Sequence, residues 1–269
     1  EESLAVIESS EACIIIGTHS LIEQYVALSN CGVMIIAEQH RFGVMQRIKL
    51  QDKANNPHCL FMTATPIPRS YMLTCFGDLD KSIIDELPPG RVRPVTSLVT
   101  DEFLPQIYQK CVERLRLKEQ VYIVFPLVEE SEKVDLKSAV DGFESINIIF
   151  KEYQVGLIHG RMKPDEKNEI MKEFKDNKIQ ILVSTTVIEV GVDVPNATIM
   201  VIQDADRFGL SQLHQLRGRI GRGGKQSYCF LISKSNSDQA KKRFKAITDT
   251  ADGFKIAEYD LKIRGPGDV

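Results

Sequence analysis
Strand-like and helix-like segments alternate along this chain, and that alternation limits the possible folds more than any other feature. The runs Cys13–Ile16, Val33–Ile36, Leu60–Met62, Val121–Phe125, Val155–Ile158, Ile179–Val183, Thr198–Ile202 and Tyr228–Ile232 are short, apolar and rich in β-branched residues. Strands read this way when both faces of a parallel sheet are covered. Helical spacing lies between them. Phe103, Ile107, Cys111 and Leu115 recur every four residues, and Pro164 with Asp165 and Glu166 opens a segment whose end gathers Lys172, Lys175 and Lys178, as the helix dipole favours. Such repetition specifies a doubly wound, parallel-sheet α/β architecture.

A chain of 269 residues has room for two domains of about 100–150 residues each. Leu87-Pro88-Pro89-Gly90 is a stiff break between two strand-rich blocks. The expected division is residues 1–89, residues 90–235 and a helical tail, 236–269. In the tail Ala240, Phe244, Ile247 and Ala251 share one helix face. Gly253 punctuates, and Phe254, Ala257 and Leu261 line a second helix that stops at Gly265-Pro266-Gly267.

Ligands of open α/β sheets bind beyond the carboxyl ends of the strands, so the residues after each run carry the chemistry. Ala37-Glu38-Gln39-His40 follows the second run, and Thr63-Ala64-Thr65 with Arg69 follows the third. Ser184-Thr185, Gly191 and Asp193 follow the sixth, and Gln215-Leu216-Arg217-Gly218-Arg219-Ile220-Gly221-Arg222 lies beside the last. Singly, each has a plain structural reading: a turn carboxylate, a strand end, a solvated loop. Together they point to phosphate. Arg219 and Arg222, three apart at a helix start, present both guanidinium groups on one side. Flanking glycines let the backbone approach a phosphate, and arginine binds phosphate oxygens bidentately without losing its proton.

The net charge is −3, yet Ser211–Lys245 holds nine basic residues against Asp238 alone. Glu129–Glu144 holds six acids against two lysines. A confined basic stretch in a mildly acidic protein suits phosphate or nucleic-acid contact, with a solvated basic helix as the other reading. The six cysteines are scattered, with no Cys-x-x-Cys pair, which fits reduced core thiols of a cytoplasmic protein. No apolar stretch reaches the roughly 18 residues of a membrane span, and residues 1–10 lack the basic start and apolar core of a secretory signal.

The order Gly17-Thr18-His19, Glu38-Gln39-His40, Thr63-Ala64-Thr65, the Gly191/Asp193 segment and Gln215–Arg222 is similar to the motif order of superfamily-2 helicases. Within that superfamily the string Glu38–Val44 resembles RecG-type DNA helicases, and Phe125–Ser131 and Leu157–Met162 extend the resemblance over essentially the whole chain. The transcription-repair coupling factor shares much of this pattern but carries two acids and a glutamine before Arg-Phe-Gly-Val, so His40 favours the RecG type. The resemblance implies two RecA-like domains, the first truncated, and a motor that uses ATP and Mg²⁺ to remodel branched duplex DNA such as stalled forks and Holliday junctions. It also implies a monomer.

The resemblance implies roles for single residues as well. Glu38 polarises the attacking water, and Gln39 and His40 link the nucleotide to the second domain. Gly191 and Asp193 contact the nucleotide, and Gln215, Arg219 and Arg222 form the arginine-finger motif. Thr18, His19, Thr63, Thr65, Arg69, His159 and Thr185 serve DNA contact and coupling. Arg264, within Asp260–Gly267, begins a translocation motif.

Two departures stand out. The family carries an aspartate for Mg²⁺ immediately before Glu38, and here that residue is Ala37, whose methyl offers no oxygen to a hard cation. No metal ligand is therefore expected at that position. Nor does the chain contain a Gly-x-x-x-x-Gly-Lys-Ser/Thr loop; Gly223-Gly224-Lys225-Gln226 is not one. The expectation is an incomplete, carboxy-terminal motor fragment that binds ATP weakly and hydrolyses none by itself. A coupling-factor-type translocase and a non-catalytic DNA-binding relative are the alternatives, and Ala37 favours the latter.

Overall fold
The computed structural model describes residues 12–23, 26, 28, 31–38, 44–54, 57–63, 79–84, 86–126, 132–185, 193–235 and 237–264. It divides into two compact units, Glu1–Pro66 and Ile67–Val269.

In the first unit β1 (Val33–Ala37) and β2 (His58–Met62) pair in parallel, Val33 opposite His58 and Ala37 opposite Met62. Helix α1 (Val44–Lys53) makes the crossover. Because side chains alternate along a strand, Met34 and Ile36 pack with Leu50 and Ala54, while Val33, Ile35, Leu60 and Met62 stay exposed. The Lys53 ammonium reaches the carbonyls of Glu23 and Val26, tying α1 to the 3-10 turn His19–Ile22. The expected strand Cys13–Ile16 is not one. Its residues have no ladder partner, and Ile14 and Ile16 are each 91% exposed; an apolar run becomes a strand only where a neighbour pairs its backbone.

The second unit is built on a parallel six-stranded sheet in the order β3-β8-β7-β4-β6-β5. Its elements are β3 (Val95–Val99), α2 (Leu104–Arg116), β4 (Gln120–Val124), α3 (Glu132–Ile149), β5 (Val155–Ile158), α4 (Pro164–Lys175), β6 (Ile181–Ser184), β7 (Ala197–Ile202), α5 (Leu210–Arg217), β8 (Tyr228–Ile232), α6 (Asp238–Asp249) and α7 (Gly253–Arg264). Every residue of β4 and β7 is buried. Val121 and Ile123 join Ile107, Cys111, Leu115 and Ile146 from α2 and α3 on one face. Tyr122 and Val124 join Phe174, Leu213, Phe244 and Ile256 from α4, α5, α6 and α7 on the other. The helices thus cover both faces, as uninterrupted apolar strands require.

Several expectations need adjustment. Strand β3 was not expected, because Thr96 and Ser97 break its apolar pattern; it is an edge strand that pairs with β8. Helix α4 opens at Pro164 with the Lys163 amide donating to Glu166 Oε2 at 3.1 Å, but it ends at Lys175, short of Lys178. In the tail Ala240, Phe244 and Ile247 are buried, whereas Ala251 is exposed beyond the end of α6. Gly253 opens α7 rather than interrupting it. The buried residue of α7 is Ile256, while Phe254, Ala257 and Leu261 are half-buried. Cys111 and Cys229 are core thiols, pushed up to about 12 by burial, but Cys13 is exposed.

At the amino ends of the strands, the buried carboxylate of Glu119 accepts a hydrogen bond from Thr198 Oγ1 at 2.6 Å and forms ion pairs with Arg114 Nε at 2.6 Å and Lys225 Nζ at 3.5 Å. One acid thereby joins the end of α2, the start of β7 and the segment before β8. Among the described residues no helix is long and apolar enough to cross a membrane.

Candidate nucleotide and nucleic-acid site
In the first unit the register of β1 and β2 brings Glu38 and Thr63 to neighbouring strand ends, since Ala37 lies opposite Met62. Glu38 has φ 54, a left-handed backbone that side chains other than Gly, Asn and Asp rarely adopt, and such outliers gather at functional sites. Thr18 precedes the 3-10 turn with its Oγ1 3.2 Å from Ser20 Oγ. Ala37 ends β1 with an exposed methyl, so this position does not fit a magnesium ligand. Gln39, His40, Thr65, Arg69 and Gly191 lie outside the described residues; for His19 and Arg264 only the backbone is described.

In the second unit two sets of polar residues lie at different ends of the sheet. At the carboxyl ends, His159 follows β5 and Ser184-Thr185 closes β6, with the Thr185 amide donating to the Ile158 carbonyl at 3.1 Å. His159 Nδ1, Ser184 Oγ and Thr185 Oγ1 are buried and have no hydrogen-bond partner among the described residues. Buried polar atoms are rarely left so, because each costs about 1–3 kcal/mol of desolvation. Burial, then Lys167 and Arg161, hold the His159 imidazole below its ordinary pKa, partly offset by Glu166. A neutral imidazole and two hydroxyls can each donate a hydrogen bond to an anionic oxygen.

The arginine segment lies elsewhere. Helix α5 ends at Arg217, so Arg219 and Arg222 sit beyond a helix end, not on a helix start as their spacing suggested. The negative end of the dipole still favours cations there. The glycines also allow close approach within the protein. A Cβ on Gly221, whose φ is +77, would come 2.8 Å from the Val92 carbonyl oxygen, and one on Gly223 would come 2.3 Å from that of Pro195. The close approach is to the protein's own backbone, at the segments leading into β3 and β7. Arg222 donates Nε to the Gly218 carbonyl at 3.1 Å and Nη1 to Asp193 Oδ1 at 3.3 Å. Gln215 is half-buried on α5. The structure therefore brings Arg222 and Asp193 together, and His159 and Thr185 together, as two separate sets.

Arg217 was not singled out by sequence. It is 5% exposed and donates Nη1 to the carbonyls of Ile247 and Thr250, with Nη2 3.0 Å from His214 Nδ1. One guanidinium thus fastens the end of α5 to the end of α6. The signal was present: Arg217 continues the buried stripe Leu210, Leu213 and Leu216, and an arginine on an apolar stripe needs acceptors. Burial and Arg217 lower the His214 pKa to about 4, against a raising effect of Asp252.

A family profile described as the helicase conserved C-terminal domain matches residues 103–224. The chain is 54% identical over 269 residues to the ATP-dependent DNA helicase RecG of Streptococcus pneumoniae and 51% identical to that of Bacillus subtilis. It covers 100% of itself in both comparisons, but 40% and 39% of those proteins. A solved structure of RecG bound to a three-way DNA junction superposes with a TM-score of 0.77 at 45% identity, over 99% of this chain and 34% of that one. A solved structure of S. cerevisiae Dbp5 bound to RNA and ADP BeF3, at 14% identity and TM-score 0.59, shares the fold alone. The chain belongs to the RecG-type helicase family, and it spans about two fifths of the length of the curated relatives it matches.

Proposed function
We propose that this chain is part of an ATP-dependent motor that remodels branched DNA, its second unit contributing one surface for DNA and another for nucleotide. The observation that carries the reading is the set His159, Ser184 and Thr185, three buried polar atoms without partners among the described residues, at neighbouring strand ends, where α/β sheets bind ligands. A DNA phosphate oxygen would supply the acceptor they lack. The RecG names of the relatives and the junction bound to the solved RecG support DNA as the ligand and ATP as the fuel.

In this reading Glu38 orients the attacking water, while Gln39 and His40 relay the state of the nucleotide. Arg219 and Arg222, with Gln215, stabilise charge on the phosphate chain, and Gly191 and Asp193 hold the nucleotide. Thr18, His19, Thr63, Thr65 and Arg69 join His159 and Thr185 in DNA contact and coupling. Helix α6, fastened to α5 through Arg217, and α7 after it carry movement towards Arg264. Residues 1–89 and 90–235 act as the two halves of the motor and 236–269 as its lever. Ala37 weakens metal support, so hydrolysis by the protein as it stands is slow, and the 269-residue chain alone hydrolyses none.

The test compares the whole protein with its Ala37→Asp variant on a synthetic fork. The variant should hydrolyse ATP in a DNA-dependent way, and Arg222→Ala in that background should lower the rate about 10³-fold or more while leaving fork binding intact. A whole protein that binds forks but shows no DNA-dependent hydrolysis even with Ala37→Asp would favour the non-catalytic alternative.

A further inference from the structure
Pro88-Pro89-Gly90 looks like a linker, but the residues that follow it form the floor of the arginine loop. The absent Cβ of Gly221 faces the Val92 carbonyl, and that of Gly224 faces the Gly90 carbonyl at 3.1 Å. Gln226 Nε2 donates to the Arg93 carbonyl at 3.4 Å. Arg91 Nη2 donates to the Gly218 carbonyl at 3.1 Å, the same oxygen that accepts Arg222 Nε at 3.1 Å. Two guanidinium groups therefore converge on one carbonyl, and Arg219 follows it by a single residue.

The charge balance is uneven. Arg222 pairs with Asp193, whereas Arg91 has no ion-pair partner among the described residues. Burial and then the Arg222 charge disfavour the Arg91 cation, and Asp193 only partly compensates. Like charges gathered in a half-buried place are costly unless an anion joins them. Arginine forks are suited to phosphate oxygens.

We propose that Arg91 is a third phosphate-binding guanidinium of the arginine loop and the residue that positions it, taking with Arg222 the terminal phosphate of a nucleoside triphosphate. This rests on the reading that the loop meets nucleotide. A phosphodiester of DNA offers related chemistry. The convergence of Arg91 and Arg222 on one carbonyl favours the more highly charged terminal phosphate.

The experiment follows backbone amide shifts of the isotope-labelled full chain, at constant ionic strength, during titration with inorganic triphosphate and separately with a short oligothymidylate. Triphosphate should give saturable shifts confined to residues 91–93, 193 and 218–224. Arg91→Gln keeps an N–H donor for Gly218 but loses the charge, and should weaken binding about tenfold, as loss of a charge-assisted contact does. Arg91→Lys keeps the charge without the planar fork and should recover part of that loss. Arg222→Gln should weaken binding as well.

Weakening by Arg222→Gln but not by Arg91→Gln would overturn the assignment of Arg91 and leave the nucleotide reading standing. Indifference to both, or no shifts in the unsubstituted chain, would overturn both. Equal losses in Arg91→Gln and Arg91→Lys, with displaced loop resonances before any titration, would reduce Arg91 to structural support and overturn the proposal. Tighter binding of oligothymidylate to the same amides would overturn the nucleotide assignment in favour of DNA.

Discussion

Arg222 and Asp193 meet at 3.3 Å, Nη1 to Oδ1, so the carboxylate occupies one edge of the guanidinium that a phosphate would use. Asp193 is largely exposed, and exposed pairs contribute little to stability. Asp193→Asn should therefore shift urea stability by no more than about 0.5 kcal/mol. Inorganic triphosphate, which lacks the sugar and base through which Asp193 would hold a nucleotide, should bind about threefold more tightly, as release of a weak competing pair allows. Unchanged or weaker binding would show that the carboxylate does not compete.

The His214 ring accepts from Arg217, and protonation would set two cations together in a largely buried place. Its folded pKa of about 4 lies below the unfolded value of about 6.5. Between these values the unfolded chain takes up a proton that the native chain refuses. The stabilisation is complete above about pH 6.5 and is lost as pH falls towards 4, at most about 3 kcal/mol. Urea unfolding from pH 7 to 4.5 should reveal this slope, and His214→Gln should flatten it. Identical pH profiles for the two proteins would contradict the assignment.

Gly223→Ala should be severe, because the new methyl would meet the Pro195 carbonyl, and Gly221→Ala adds an unfavourable φ to its collision with Val92. Each should cost about 3 kcal/mol or more in the unfolding of the second unit. Gly160→Ala is the comparison: nothing lies within 4 Å of its added carbon, and its urea midpoint should hardly move. Equal effects at all three positions would show that the loop yields to the extra atom.

Amide exchange should differ between the units. In the first, β1 and β2 pair with each other and leave Val33, Ile35, Leu60 and Met62 exposed. In the second, β4 and β7 are buried along their whole length. Exchange in β1 and β2 should be at least about a hundredfold faster, as expected between sparsely and densely packed regions. Uniform protection would mean that the first unit has found further packing.

Arg264→Ala, in the whole protein with Ala37→Asp, should leave DNA-dependent hydrolysis within about threefold while unwinding falls about tenfold or more, because coupling rather than phosphate chemistry is lost. Hydrolysis and unwinding falling in proportion would remove the lever role from α6 and α7.

What the sequence made legible follows burial. Val121–Val124 and Ile199–Ile202 are nonpolar runs because helices cover both faces, so their strands were plain. Val95–Val99 was not, because one edge and part of each face remain open and Thr96 and Ser97 are tolerated there. In the candidate site Arg222 and Asp193 were visible as motif residues. The spacing of Arg219 and Arg222 could not reveal that the helix ends before them. Arg91 went unmarked because its partner is a carbonyl oxygen of a distant segment, and a carbonyl leaves no trace in residue type; Arg217 could be read only from its place on the apolar stripe of α5. Ile14 and Ile16 misled in the opposite direction, since their composition suits a strand but no described residue pairs with them.

The pairing of β3 with β8 has a consequence for the order of assembly. The strand that comes first in the six-stranded sheet finds its neighbour only when the last has been synthesised, so nearly the whole unit must be threaded between them. Contacts of such high sequence separation form late and slow the rate at which the native state appears. Until Tyr228–Ile232 emerges, Val95–Val99 carries unpaired backbone beside the Gly90–Arg93 segment, and the arginine loop has yet to settle on that floor. A nascent or prematurely terminated chain would thus expose a sticky edge. The phosphate-binding arginines would be among the last parts of the molecule to reach their working geometry.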